Sequence, residues 1–271
     1  MAVDPATEKR RAFASARQLL SDGDDSSLRY AALEIRRCVE AIVYEKLLTY
    51  RDRLPTNVLR KWQPPQAFKA LLAVEPDADT TASLGVAVQE AINKPASGPI
   101  QIIGTDHRPR PQWLSKTWNK LGSFLHAEWP FAEAGKEPTP ANIRDFLVET
   151  MSALEVFVDV RSISFQMANL VTFECTECGT TVKANVAGII KTGAVACLNT
   201  ECECQFSVTE LDSPTPLFVP DIVKTACPGC GKEIRLPRHR VGTGYRYSCR
   251  ECTSTFEITN VVQWECRKVE A

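Results

Sequence analysis

Apolar residues recur at three- and four-residue spacing between positions 28 and 47, where Leu28, Ala31, Ala32, Ile35, Cys38, Val39, Ile42, Val43 and Leu47 draw one stripe along a helix. The polar run SDGDDSS just before it supplies the cap. Upstream, Asp4-Pro5 joins an N-cap residue to a proline at the first helical position and predicts a helix through ATEKRRAFASARQLL. Proline starts three more helices: QAFKALLAV after Pro64-Pro65, the stretch from Pro111 through LSKTWNKLGSFLHAEW, and the stretch from Thr139-Pro140 through NIRDFLVETMSALEVFVDV. Between them the period changes. SLGVAV and IQIIGT, separated by NKPASGP, read as two short strands. The pattern predicts a mostly α-helical bundle with a small β-hairpin over 1–165.

Cysteine distribution marks a boundary. Of 11 Cys in 271 residues, Cys38 stands alone in the first part and the rest fall from Cys175 onward. Two regions with different sources of stability are therefore expected to meet near residue 170. No apolar run approaches the length of a membrane span, and MAVDPATEKRRAF places charges where a secretory leader needs an apolar stretch, so the expected location is cytoplasmic. Thiols in a reducing compartment are expected to bind metal rather than form disulfides.

The cysteine region contains an internal repeat. Cys175-Thr-Glu-Cys178-Gly179 and Cys227-Pro-Gly-Cys230-Gly231 are each followed, after 18 residues, by a further cysteine, Cys197 in one copy and Cys249 in the other. Val182 matches Ile234. Cys202 and Cys252 both stand four residues before an aromatic, Phe206 or Phe256, with Val208 or Ile258 two further on. The register differs only by two extra residues in the first copy, between Cys197 and Cys202. Each copy offers four thiolates from two turns, which suits a closed tetrahedral zinc site, structural rather than catalytic. The copies resemble zinc ribbons, over 172–211 and 224–264, and predict two structural zinc ions per chain. Register favours Cys202 over Cys204 as the fourth ligand, leaving Cys204, Cys38 and Cys266 as spare thiols.

Net charge is −1, so no global field draws the chain to a polyanion, but the copies differ locally. Residues 172–212 hold two basic and six acidic side chains, whereas 222–252 hold seven basic and two acidic. In the second copy Arg235, Arg238, Arg240 and Arg246 interleave with Tyr245 and Tyr247, offering guanidinium groups for phosphates and rings for bases. A solvated strand face gives the same pattern. On this reading RNA or DNA binds the second ribbon and a protein partner the acidic first ribbon.

Two segments of the helical part, LRYAALEIRRCVEAIVYEKLL and WLSKTWNKLGSFLHAEW, resemble the HEPN superfamily, helical bundles common in prokaryotic ribonucleases, toxins and anti-phage systems. The resemblance implies a homodimer through the helical domain, a role in phage defence, and, in members that cleave RNA, an Arg and a His at the dimer seam. His126 matches the His; Lys120 stands in the window where the Arg is expected, and an ammonium lacks the planar fork that grips phosphate twice. A metal-independent ribonuclease using His126 with Lys120 is one alternative; a structural adaptor that binds only protein is another. Arg36 and Arg37 are expected to border a seam or face water, and the TDHRPRP stretch to form a solvated basic turn. GxxxxGK[ST], GxGxxG, HExxH and GxSxG are absent, which removes support for nucleotide hydrolysis, dinucleotide use, metalloprotease and serine-hydrolase chemistry.

Overall fold

The computed structural model describes residues 4–22, 24–88, 98–126, 138–158, 169–210 and 216–259. The chain forms two compact units, Met1–Asn169 and Leu170–Ala271. The first is mostly helical and the second is built of small antiparallel sheets around two groups of four cysteines.

In the first unit, α1 (Pro5–Asp22) begins where the Asp4 carboxylate accepts from the backbone N–H groups of Ala6 and Thr7 at 3.3 and 3.1 Å. Asp24 caps α2 (Asp25–Thr49) by accepting from the Ser27 N–H at 2.6 Å. These side chains satisfy donors that a helix start leaves open. The short α3 (Thr56–Leu59) is followed by α4 (Pro64–Val74), α5 (Pro111–Ser123) and α6 (Pro140–Val158), each of the last three opening on proline as the sequence predicts. Helix α2 is the hub on which α1, α4, α5 and α6 pack. Every residue of its predicted stripe is at most 6% exposed. Burying each of the larger aliphatics contributes about 1.5–3 kcal/mol, so this stripe carries much of the unit's stability.

Strands β1 (Ala82–Val86) and β2 (Gln101–Asp106) pair antiparallel, with a register shift between Leu84 and Gly85. A Cβ on Gly85 would overlap the Ile100 side chain, so any other residue there would force Ile100 to move. The hairpin is anchored at its base by charge. The Asp106 carboxylate accepts from Lys46 of α2 and from Arg108 Nε and Nη2 at 2.9 and 2.8 Å, all three side chains being buried. Arg108 is therefore not part of a solvated basic turn: its Nη1 donates to the Asp77 carbonyl at 2.7 Å. Lys9 of α1 is likewise buried, on Glu45 of α2 at 2.6 Å. Arg36 and Arg37 are also used within the unit: Arg37 pairs with Glu8 and Glu34, and Arg36 lies over the Trp118 ring.

The second unit starts with the hairpin of β3 (Leu170–Glu174) and β4 (Thr181–Asn185). Helix α7 (Val186–Thr192) follows, capped by Asn185 and ended by Gly193 at φ 69°. A three-stranded sheet comes next, in the order β5 (Ala194–Ala196), β6 (Gln205–Thr209), β7 (Leu217–Pro220). Strand β7 lies beyond the expected end of the first ribbon at 211. It completes that ribbon's core, with Phe218 stacked on Phe173 at 3.9 Å and Phe206 edge-on to Phe173 at 5.1 Å. The second ribbon repeats the plan more sparsely in β8 (Ile222–Ala226), β9 (Glu233–Pro237), β10 (Arg246–Ser248) and β11 (Thr255–Glu257). Its core is little more than Ile234, Tyr247, Phe256 and the thiols, too small to fold alone without a further tie.

Candidate metal centres and the cleft between them

Each metal centre is made by two turns, one joining two strands of a hairpin and one following the third strand. In both first turns the leading cysteine donates its N–H across the turn, Cys175 to the Thr180 carbonyl at 2.9 Å and Cys227 to the Lys232 carbonyl at 2.7 Å. The turn closes through a glycine in the left-handed region, Gly179 at φ 72° and Gly231 at φ 71°, a conformation that a Cβ penalises. In the second turns the residue after the last cysteine is also left-handed, Glu203 at φ 50° and Thr253 at φ 58°. The repeat thus extends to backbone geometry at positions where the side chains differ.

These turns bring Cys175, Cys178, Cys197 and Cys202 together in one group, and Cys227, Cys230, Cys249 and Cys252 in the other, with the four sulfurs of each group within 4.8 Å of one another. Sγ–Sγ distances are 3.8 Å for Cys175–Cys202, 3.6 Å for Cys178–Cys197, 3.7 Å for Cys227–Cys252 and 3.9 Å for Cys230–Cys249. Four sulfurs at about 2.3 Å from a central ion in tetrahedral array stand about 3.8 Å apart, so both groups fit a zinc-sized ion. One thiol in each group is drawn down to about 6. At Cys178 burial raises the value, and hydrogen bonds from the Thr180 hydroxyl and backbone outweigh it; at Cys252 the Ser254 backbone and hydroxyl do the same. Within the same groups Cys202 is pushed up to about 11, chiefly by burial; at Cys230 a hydrogen bond from the Lys232 backbone lowers the value, and burial with the neighbouring thiols outweighs it, up to about 12. One sulfur in each group therefore gives up its proton most readily to reach the metal-binding form.

Cys204 is fully buried but lies outside the first group. The Cys197 N–H donates to the Cys204 carbonyl at 2.8 Å, as the Cys249 N–H donates to the Ser254 carbonyl at 3.0 Å. Cys204 therefore occupies the repeat position of Ser254, and burial pushes its thiol up to about 12. Cys38 lies in the helical core, and Cys266 lies outside the described residues.

The expected nucleic-acid residues are dispersed in role. Arg235 Nη2 lies 2.8 Å from Glu177, Arg238 Nε 2.8 Å from Asp221, Arg240 Nη2 3.4 Å from Glu203 and Arg246 Nε 2.6 Å from Glu257. The four guanidinium groups are thus each paired with a carboxylate, which the sequence reading did not anticipate. Tyr247 packs on Phe256 with ring centroids 5.6 Å apart, partly buried against the ribbon's core, and it also lines a cleft between the ribbons. What the structure does bring together is this cleft, of about 480 Å³, where Arg235, Arg240, Arg250 and Tyr245 share the lining with Glu177, Glu201, Glu233 and Glu251. Arg250 Nη2 donates to the Glu177 carbonyl at 3.2 Å. In the sequence Glu177, Glu203 and Arg250 are visible only as members of the opposite charge balances of the two copies.

His126 is exposed, in the turn that follows α5, and exposed Lys120 places its ammonium 5.1 Å over the Phe124 ring. The segment 127–137, with Trp129, lies outside the described residues. Among the described residues no helix is long and apolar enough to cross a membrane. No family model, no curated protein and no solved structure matches the chain.

Proposed function

We propose that the chain is a zinc protein that binds single-stranded nucleic acid on its second ribbon, the two ions folding the ribbons rather than performing chemistry. All-cysteine tetrads offer no open ligand position for a substrate. The observation that carries the reading is the convergence of Arg235, Arg240 and Arg250, with Tyr245, on one cleft. Arg238 and Arg246, chain neighbours of the lining residues Pro237 and Tyr245, form pairs whose arginine side chains are 62% and 74% exposed, and such pairs contribute at most about 1 kcal/mol, so they yield to a phosphate. The helical unit is assigned a HEPN-type pairing role on its two quoted helices. Sedimentation of the full chain as a monomer at tens of micromolar would remove that assignment.

Titration of the zinc-loaded chain with a labelled single-stranded oligonucleotide tests the binding role. Log affinity falls with log salt by roughly 0.7 per phosphate neutralised. The triple change of Arg235, Arg238 and Arg240 to Gln flattens that slope by about two, with zinc content unchanged. Absence of binding at low salt ends the reading, and degradation of a probe RNA that His126→Ala abolishes replaces it with catalysis.

A second reading, protein contact by the first ribbon, is favoured by a different surface. The outer face of its three-stranded sheet carries Ala194, Ser207, Thr209, Leu217 and Val219, with no charge, and Leu217 and Val219 are 54% and 41% exposed. Uncharged exposed faces of this kind serve protein contacts. If oligonucleotides fail to bind, Leu217→Lys with Val219→Lys should abolish co-purification of a protein partner at unchanged metal content.

A further inference from the structure

The two ribbons are joined by a specific set of charges. Glu177 sits inside the first turn of ribbon one, and Glu203 directly follows its last ligand, so both carboxylates are positioned by the backbone of the metal site. At the matching places the second ribbon has Gly229 and Thr253, which carry no charge. The acids are thus peculiar to the copy that faces the arginines. Glu177 reaches Arg235 at 2.8 Å with its side chain 11% exposed, and Glu203 reaches Arg240 at 3.4 Å with its side chain 21% exposed. The Glu177 carbonyl takes the Arg250 guanidinium. Carboxylate and phosphate oxygens make the same demand on a guanidinium fork, so one occupant excludes the other from the same donors.

We propose that the first ribbon is an internal competitor for the nucleic-acid cleft of the second: Glu177 and Glu203 hold, in the free protein, the guanidinium faces of Arg235 and Arg240 that bind strand phosphates. This rests on the nucleic-acid reading above and names its regulation. A single strand supplies several phosphates at once, whereas each carboxylate is one charge in a partly exposed pair. Multivalent phosphate therefore displaces the carboxylates at moderate salt, and an isolated phosphate does not. The rim acids Glu201, Glu233 and Glu251 add a diffuse repulsion; Glu233 is engaged by Lys224 at 3.6 Å, and Glu201 pairs with no arginine among the described residues. Arg250 adds a charge held by the Glu177 carbonyl. Tyr245 in the same cleft favours a nucleic acid over an acidic peptide, because every base has a face to stack.

The experiment uses the full zinc-loaded chain and a fluorescent oligothymidylate. Glu177→Gln with Glu203→Gln keeps shape and removes the competing charges, and should tighten binding roughly five- to thirty-fold. Glu201→Gln removes a cleft charge that touches no arginine and should change affinity less than two-fold at the same salt, which separates displacement from a general loss of repulsion. If the double variant binds no better than the parent, or Glu201→Gln gains as much, the competition is refuted while the nucleic-acid reading stands. If neither parent nor variant binds at low salt, the nucleic-acid reading itself falls. Competition by polyglutamate at equal charge concentration would make an acidic protein the occupant and overturn the choice of ligand. Should the double variant lose metal, each single variant tests one pair alone, and a gain from neither refutes the proposal.

Discussion

The guanidinium of Arg36 lies 3.8 Å from the centre of the Trp118 ring, joining α2 to α5. Glu40 completes the contact, 3.6 Å from Arg36 and accepting from the Trp118 indole N–H at 3.2 Å. Arg36→Ala removes the cation–π contact and the packed stem together, an expected cost of about 1–2 kcal/mol. Arg36→Lys restores the charge without the flat stacking surface and should recover less than half of it. Denaturant midpoints of the two variants decide this, and an Arg36→Ala midpoint equal to the parent's would show the contact to be idle.

Asp106 is the keystone of the buried charges. Asp106→Asn leaves Lys46 and Arg108 in the interior without a counter-charge, and breaking a buried pair in this way costs about 3–5 kcal/mol. Lys46→Met is expected to cost less, because Asp106 retains Arg108 and a long apolar side chain fills the space. Equal losses in helical unfolding for the two variants would contradict this ranking.

What was legible in the sequence was whatever depends on local spacing. The stripe of α2 and the proline starts of α4, α5 and α6 are written in period and capping within one helix, and the cysteine groups, though each joins two turns, show through the repeat of their spacing. The pairing of Arg235 with Glu177, the burial of Lys46 on Asp106 and the stacking of Phe218 on Phe173 join residues far apart in the chain. Spacing carries no information about such partners. Charge counts registered the contrast between the ribbons and could not say that each was answering the other. The packing of Tyr247 on Phe256 is of the same kind: a ring among arginines has the composition of a stacking platform, and the strand register, which sets it opposite Phe256, is not written in composition.

Burial pushes the Cys38 thiol up to about 12, with Lys9 acting weakly against it and Glu8 weakly with it. The unfolded chain gives up this proton near 9 while the folded one keeps it. The contribution is therefore complete below pH 9 and is lost as pH rises from 9 towards 12. Between pH 8 and 10.5 the parent should lose about 2 kcal/mol more stability than Cys38→Ala. In the native protein Cys38 should also resist thiol reagents at pH 8 and react only on unfolding, as peptide mass mapping would reveal.

The left-handed glycines give a matched pair of tests. A Cβ at Gly179 or Gly231 would touch nothing within 4 Å, so Ala at either place is penalised by backbone conformation alone. That penalty is about 1–2 kcal/mol, some ten-fold in zinc affinity. Gly179→Ala should weaken one ion and Gly231→Ala the other, by similar factors in a chelator competition. A loss confined to one ribbon would show that the other ribbon's turn tolerates the strain.

The fourth ligand of the first site separates two cysteines two residues apart. Cys202 lies with the other three sulfurs, 3.8 Å from Cys175, whereas Cys204 directs its sulfur toward the Gln205 carbonyl at 3.6 Å. Since Cys204 stands where the second ribbon has Ser254, serine is already accommodated at that repeat position. Cys204→Ser should therefore leave two zinc ions per chain and cost only the burial of a hydroxyl, about 1–3 kcal/mol, which its own backbone neighbourhood partly offsets. Cys202→Ser removes a thiolate that a hydroxyl does not replace at neutral pH, and should lower the count to one. The loss should be local: the ion of the second ribbon, held by its own four sulfurs, remains. Metal analysis of purified protein reads both outcomes directly, and two ions in Cys202→Ser with one in Cys204→Ser would move the ligand to Cys204.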